Sequence, residues 1–184
     1  LVMGHGTHVV EEIEVYKGPA STLFGRGSTG GVVNQVTKSP QLQDFARATA
    51  VAGSNDELRG TADVNYAFSD DDAFRLNAMA HRAAVAGRDF VENRRWGIAP
   101  AIAFGVHQPV SLRLEYLHQV QNDIPDYGLP FAFGRPVPVP RDTYYGLPSD
   151  DRTRATVDVG TAIFKAGLSR NAWIADTARV GNYF

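Results

Sequence analysis

Polar and apolar side chains alternate at every second position through several stretches of about ten residues. In one of them Leu58, Val64 and Tyr66 fall on one face, while Arg59, Asp63 and Asn65 fall on the other. A period of two is the pattern of a β-strand with one apolar and one polar face. Strands of this kind are predicted at residues 58–68, 74–81, 95–104, 110–116 and 156–163, with others near 45–52 and 171–181. The chain is therefore predicted to be all-β.

The apolar face of each predicted strand meets either a protein core or lipid. A soluble sheet with one buried face would show the same alternation. Strand length and connections favour a membrane barrel, because a tilted spanning strand needs roughly 9 to 11 residues and soluble strands average about five or six. Short turns are predicted at 70–72, 106–109 and 168–171, against one long proline-rich loop at 122–151, and outer-membrane barrels alternate short turns with longer loops.

A barrel also determines where individual side chains point. Aromatic residues at the strand ends would form the interfacial girdles: Tyr66, Phe68, Phe74, Trp96, Phe104 and Tyr116. In the strand at 156–163, Val157, Val159 and Ile163 form the predicted apolar face and Asp158 lies on the polar one.

About seven strands cannot close a barrel, since even eight leave an interior filled by side chains. The sheet is therefore expected to belong to a larger closed one.

The first 40 residues form a separate element with a strand, a turn and a second strand. The strands are predicted at 9–16 and 32–37, with a short compact turn at 20–24. Four glycines at positions 25, 27, 30 and 31 crowd the connection between them. Such glycines permit a positive φ and close approach of other chain segments.

Composition and motifs argue against several functional classes. With 18 basic and 20 acidic residues the net charge is −2, so the chain has no excess of positive charge with which to bind nucleic acid. The sequence has no cysteine and hence no thiol nucleophile or thiolate metal site. Residues 25–30 match the G-x-G-x-x-G motif. They precede a predicted strand and not a helix, which argues against a dinucleotide-binding site. His5 with His8, the Asp70–Asp72 run and Ser21 lack the further ligands or partners that a metal or catalytic site needs. We predict no enzyme activity and no metal site.

The long loop carries the best candidates for ligand contact. Its aromatic and basic side chains suit flat, anionic or catechol-like ligands, because aromatic faces stack and guanidinium groups pair with anions. The alternative is a lid that packs only on itself. The candidate residues are Tyr127, Phe131, Arg135, Tyr144 and Tyr145.

Residues 13–40, IEVYKGPASTLFGRGSTGGVVNQVTKSP, resemble the end of the plug domain of TonB-dependent siderophore receptors. The stretches RRWGIAPAIAF, LRLEYLHQVQNDIPDYGLP and PRDTYYGLP look like the early barrel of the same family. The resemblance implies a partial antiparallel transmembrane β-barrel preceded by the C-terminal part of a plug. Residues 1–40 would be that plug segment, and residues 41–184 the first seven or so barrel strands, an incomplete barrel.

The resemblance also implies a function and a set of contacts. Members of the family take up ferric siderophores, here of catecholate or hydroxamate type, through the bacterial outer membrane with energy from TonB. Iron would arrive as a siderophore complex, so no cofactor is expected, and the segment that TonB engages is expected to lie outside this sequence. Phe24 and Arg26 would join the loop residues in ligand binding. Glu14, Lys17 and Lys38 would make contacts between plug and barrel, while Ser39 stands where many relatives carry arginine.

Three other interpretations remain open at this point. A receptor of the same architecture could import cobalamin, haem or a carbohydrate. A passive porin-like channel would lack a plug. A soluble β-rich binding or hydrolytic domain would fold in water. The first residue is Leu1 and no leader pattern follows it, so we expect an internal piece or a processed chain.

Overall fold

The computed structural model describes residues 7–19 and 30–184. A 3₁₀ turn at Thr7–Val9 leads into eleven strands within these residues. They are β1 (Val10–Lys17), β2 (Gly31–Thr37), β3 (Phe45–Ala52), β4 (Leu58–Ala67), β5 (Ala73–Ala84), β6 (Glu92–Phe104), β7 (Val110–Asp123), β8 (Phe131–Ala132), β9 (Arg135–Pro136), β10 (Thr153–Ser169) and β11 (Ala172–Tyr183). No helix in the described residues is long and apolar enough to cross a bilayer.

Seven of these strands form one antiparallel sheet in the order β11-β10-β7-β6-β5-β4-β3. Neighbours in the sheet follow one another along the chain, apart from the tiny β8–β9 hairpin inserted between β7 and β10. β1 and β2 make a separate antiparallel pair. The predicted all-β architecture, with seven long strands after a strand pair, is confirmed. The predicted turn at 20–24 lies outside the described residues.

The connections in the large sheet differ at its two ends. Residues 68–72, 105–109 and 170–171 make short turns at one end. One of these turns depends on glycine: Gly105 has a φ of 63°, and a Cβ there would collide with the carbonyl oxygen of Val110. Residues 53–57, 85–91 and 124–152 connect the strands at the other end, which we call the loop end. The longest connection is therefore at the loop end, as the sequence predicted.

The large sheet buries many of its polar side chains and exposes many of its large apolar ones. On β4, Asn65 is 2% exposed and its neighbour Tyr66 is 55% exposed. We call the side carrying Asp63, Asn65, Arg75 and Asn77 the inner face, and the opposite side the outer face. A soluble sheet would bury its apolar side. This reversed distribution is the one that a barrel wall in lipid requires, with apolar residues outward and polar residues inward.

The face assignment for β10 was wrong. Val157 pairs with Gln119 and is buried on the inner face, while Asp158 pairs with His118 on the outer face. Asp158 is tolerated there because Tyr116 donates a hydrogen bond to it and the His118 ring nitrogen Nδ1 lies 2.7 Å from its Oδ1. Which side chains of β10 point to the inner face depends on its register with β7, and the sequence of β10 alone does not determine that register.

Candidate functional site

Arg75 stands at the centre of a polar cluster on the inner face. Its side chain is 1% exposed. Nε and Nη2 each donate to one carboxylate oxygen of Asp63 at 2.8 Å, which is a bidentate pair between the adjacent strands β5 and β4. Nη1 donates to the carbonyl oxygen of Ser39 at 2.8 Å and to Glu11 at 3.1 Å. The residues described before β3, 7–19 and 30–44, are called the N-terminal segment below. One guanidinium therefore joins the large sheet to this segment at two places.

Lys38 adds a second cation to the same cluster. Its ammonium lies 2.9 Å from Asp63 Oδ2 and 3.2 Å from Asn77 Oδ1. Asp63 thus accepts hydrogen bonds from an arginine of its own sheet and from a lysine of the N-terminal segment. Each buried charge has an opposite partner, which offsets the cost of removing both from water.

Two further contacts anchor the N-terminal segment to the inner face. The amide of Asn65 donates to the carbonyl oxygens of Gln41 at 2.6 Å and Gln43 at 2.8 Å, and Asn65 Oδ1 accepts the backbone N–H of Gln41 at 2.9 Å. Farther along the sheet, the Thr37 hydroxyl donates to Glu115 on β7 at 2.9 Å. Residues 37–43 are therefore held to the large sheet on both sides of Lys38.

The ring of Phe45 at the start of β3 is in contact with two arginines. The guanidinium carbon of Arg75 is 5.2 Å from the ring centroid, and that of Arg47 is 4.6 Å from it. These distances fall within the range of cation–π contact. Arg75 is buried in the polar cluster, whereas Arg47 is exposed.

The other candidate contact residues have different environments. Glu14 accepts a hydrogen bond from Asn34 at 2.7 Å, across the small β1–β2 sheet. Lys17 is exposed at the end of β1, opposite Gly31. Both remain predictions as contacts between plug and barrel. Within residues 7–19 and 30–184 no group of three His, Asp or Glu side chains has the arrangement that a metal ion needs.

The long connection 124–152 at the loop end is tied down by Arg88. The side chain of Arg88 is 6% exposed, and Nη2 donates to Asp126 at 2.6 Å and to the carbonyl oxygen of Gly128 at 3.0 Å. Nη1 donates to the carbonyl oxygen of Arg141. The backbone N–H of Gly128 and the Arg88 guanidinium hold the pKa of Asp126 below its ordinary value. Arg88 therefore holds residues 126–128 and Arg141, from the two halves of the loop, close together.

Tyr144 lies in the interior of the loop cluster. It packs with Val91 and Ile124 in a small apolar core, and its ring centroid is 6.2 Å from that of Tyr127. The Tyr144 hydroxyl donates to Asp151 at 3.3 Å. Burial, followed by the negative charge of Asp151, raises the pKa of Tyr144. These contacts give Tyr144 a packing role beneath the loop surface.

The other loop candidates are more accessible. Tyr127 is 59% exposed and Phe131 is 69% exposed. Arg135 is exposed and pairs with Ala132 in the β8–β9 hairpin, next to the Phe131 pair. The hydroxyl of Tyr145 donates to the carbonyl oxygen of Pro140 at 2.9 Å. The structure therefore brings Phe131 and Arg135 to one exposed hairpin. The candidates Phe24 and Arg26 lie outside the described residues.

Sequence reasoning missed Arg75, Asp63 and Arg88 as organising residues. A signal existed for the first two, since both occupy polar positions of alternating strands. Their pairing depends on register, in which Asp63 lies opposite Asn77 and Arg75 opposite Asn65. Arg88 gave no signal, because its partners are 38 to 53 residues away in the chain.

Comparison with known proteins gives a consistent family assignment. The catecholate siderophore receptor Fiu of Escherichia coli K12 is 36% identical over 187 residues, which cover 94% of this chain and 24% of Fiu. The probable TonB-dependent receptor BfrD of Bordetella pertussis is 39% identical over 180 residues, again covering 94% of this chain and 24% of the relative. This chain is homologous to the TonB-dependent siderophore receptors. It spans about a quarter of the length of these relatives.

Solved TonB-dependent receptors share the fold. The siderophore receptor PiuA of Acinetobacter baumannii superposes with a TM-score of 0.86 at 33% identity, covering 95% of this chain and 26% of PiuA. The sheet therefore matches part of a TonB-dependent receptor barrel, and the homologues are outer-membrane receptors. No family model matches the chain.

Proposed function

We propose that this chain is part of an outer-membrane receptor that takes up a ferric catecholate siderophore with energy from TonB. The observation that carries the proposal is the reversed sheet: its inner face is polar and covered by the N-terminal segment, and its outer face is apolar and exposed. A passive channel of porin type would leave the inner face open to water. The name of Fiu supplies the catecholate class.

In this proposal residues 1–40 are the C-terminal part of the plug and residues 41–184 are barrel strands. The contacts of Arg75 and Lys38 support the division, because they join the two parts through side chains and not through a continuous sheet. The two parts can therefore separate without breaking a β-ladder between them, because β1 and β2 form a sheet of their own.

The loop residues would receive the ligand from outside. A ferric catecholate complex is flat at its rings and anionic overall, and an exposed aromatic ring beside a guanidinium complements both properties. The β8–β9 hairpin presents these two groups on its opposite faces, Phe131 on one and Arg135 on the other, and both are accessible. Tyr127 adds a second exposed ring, while Phe24 and Arg26 would approach from the plug side. Tyr144 and Tyr145 would shape the loop beneath them.

Uptake of radiolabelled iron tests the proposal in the full-length protein that contains this chain. Cells carrying it should take up ferric catecholate under iron limitation and should lose uptake when TonB is deleted. Uptake that persists without TonB would support a passive channel instead. Uptake of a hydroxamate, haem or cobalamin in place of the catecholate would overturn the ligand class.

A loop variant tests the ligand surface. Arg135→Gln should weaken ferric catecholate binding by about three- to tenfold, since an exposed charge-assisted contact contributes roughly 1 kcal/mol. The matched control is Arg152→Gln, which removes the same charge at the exposed base of the same loop. Equal affinities in the two variants would exclude Arg135 from the binding surface.

A further inference from the structure

We propose that Arg82, Arg94 and Arg154 form a site on the outer face for the phosphate groups of a membrane lipid headgroup. The inference rests on the proposed function, because it needs the outer face to be in contact with lipid. It concerns the lipid around the protein and not the siderophore within it.

Cross-strand register places the three arginines in one row. Arg82 on β5 lies opposite Arg94 on β6. The pairing of Arg95 with Gln121 puts Arg94 beside Asn122 on β7, and Asn122 lies opposite Arg154 on β10. Adjacent strands are about 4.8 Å apart, so the row spans about 15 Å across four strands. The row is narrow enough for a single headgroup with more than one phosphate.

The row carries excess positive charge at the surface. All three arginines are exposed, and Arg82 and Arg94 are directly opposed across the ladder. Like charges in this position destabilise a sheet unless an anion lies between them. Glu92 lies 2.8 Å from Arg94 and offsets one of the three charges. A net positive charge remains for an external anion.

The height of the row matches the phosphate level of a bilayer. It lies at the loop end of the sheet, where strands β5 and β6 meet connection 85–91. The next outward residue of β6 is Trp96, whose ring centroid is 5.1 Å from the ring of His118. Tryptophan and other amphipathic rings collect at the headgroup level, and apolar Ile98 and Ile102 continue below. Guanidinium groups just beyond the aromatic ring therefore meet the phosphates.

The chemistry of the row selects phosphate over other lipid groups. Guanidinium groups donate paired hydrogen bonds in a fork that matches two phosphate oxygens. The nearest acidic group on the outer face of β10 is Asp158, four residues below Arg154, and Tyr116 and His118 already bond to it. Because Asp158 is bonded to these two side chains, Arg154 can bind a phosphate group.

Native mass spectrometry of the full-length protein in detergent with added lipid A tests the site. The triple variant R82Q/R94Q/R154Q should bind diphosphorylated lipid A about a hundredfold more weakly, at roughly fivefold per arginine. The matched control is R95Q, which removes the same charge one residue along β6 on the inner face and should bind normally. Equal lipid binding by the triple variant and the wild type would overturn the proposal.

Two further arms identify the source of the phosphate and separate this inference from the proposed function. Dephosphorylated lipid A should bind the wild type no more tightly than it binds the triple variant. Binding of inorganic phosphate to the wild type as tight as that of diphosphorylated lipid A would refute a lipid site. Ferric catecholate binding by the triple variant should stay normal. If lipid binding follows the arginines but no siderophore binds, the proposed function alone fails. Should the triple variant not fold, the three single variants carry the test, each with an expected fivefold loss, and unchanged affinity in all three would overturn the site.

Discussion

Replacing Arg75 with methionine should loosen the N-terminal segment from the sheet. The variant keeps an unbranched side chain, although a shorter one, and removes the charge. It loses a buried charged hydrogen bond to the Ser39 carbonyl oxygen, which contributes about 1.5–3 kcal/mol. It also loses the ion pair with Glu11, whose side chain is 47% exposed, so that this contact contributes at most about 1 kcal/mol. The expected loss of docking free energy is therefore about 3 kcal/mol.

Hydrogen exchange measures this loss in the full-length protein. A loss of about 3 kcal/mol should speed exchange of the amides in residues 31–41 roughly a hundredfold, provided that these amides exchange through undocking. The backbone ladder between β4 and β5 does not depend on this side chain, so exchange in the large sheet should change less.

Arg47→Met is the matched control for this experiment. Arg47 lies over the same Phe45 ring but is exposed. Its loss should leave exchange of residues 31–41 unchanged. Unchanged exchange in Arg75→Met, or equal acceleration in both variants, would refute the assigned role of Arg75.

Three other perturbations test different parts of the structure. Arg88→Gln removes the charge that bonds to Asp126 and to two carbonyl oxygens of the loop, so limited proteolysis should cut within residues 124–152 several times faster, while the core strands stay resistant. Because the folded-state pKa of Asp126 is lowered, its stabilisation of the loop is complete above the unfolded-state pKa and is lost as the pH falls through the folded-state value. Loop proteolysis by an acid-active protease should accordingly rise below about pH 4 in the wild type. The rise should be smaller in Arg88→Gln, where the Gly128 N–H still lowers the pKa of Asp126 but the guanidinium no longer does; a rise of equal size in both would contradict the link between Arg88 and Asp126. On the outer face, Leu76→Lys should cost about 2–4 kcal/mol in a lipid-bilayer unfolding experiment, whereas Thr61→Lys on the inner face should cost far less, and equal costs would contradict the face assignment.

The sequence allowed the sheet to be predicted where a strand separates its apolar and polar residues cleanly. β4 does so over its whole length, with Val64 and Tyr66 outward and Asp63 and Asn65 inward. β10 does not, because valine occurs on its inner face and an aspartate on its outer face. Hydrogen bonds from β7 make that aspartate acceptable, and they depend on a register that no single strand encodes.

The candidate site was predictable in composition but not in geometry. Aromatic and basic residues in a proline-rich loop indicated a binding surface, and Phe131 and Arg135 lie on opposite faces of one exposed hairpin. Burial separated Tyr144 from these two, because the apolar partners Val91 and Ile124 come from distant parts of the chain. Long-range contacts of this kind leave no local pattern in a sequence.

The central claim is that the apolar face of the large sheet meets lipid and its polar face does not. Single cysteines can be introduced along β4 in the full-length protein, in a background free of other cysteines, and spin-labelled in bilayers. Labels at positions 60, 62, 64 and 66 should collide freely with oxygen dissolved in the lipid, and labels at 59, 61, 63 and 65 should be protected from it. Protection at all eight positions, or accessibility at the odd positions instead, would contradict the account.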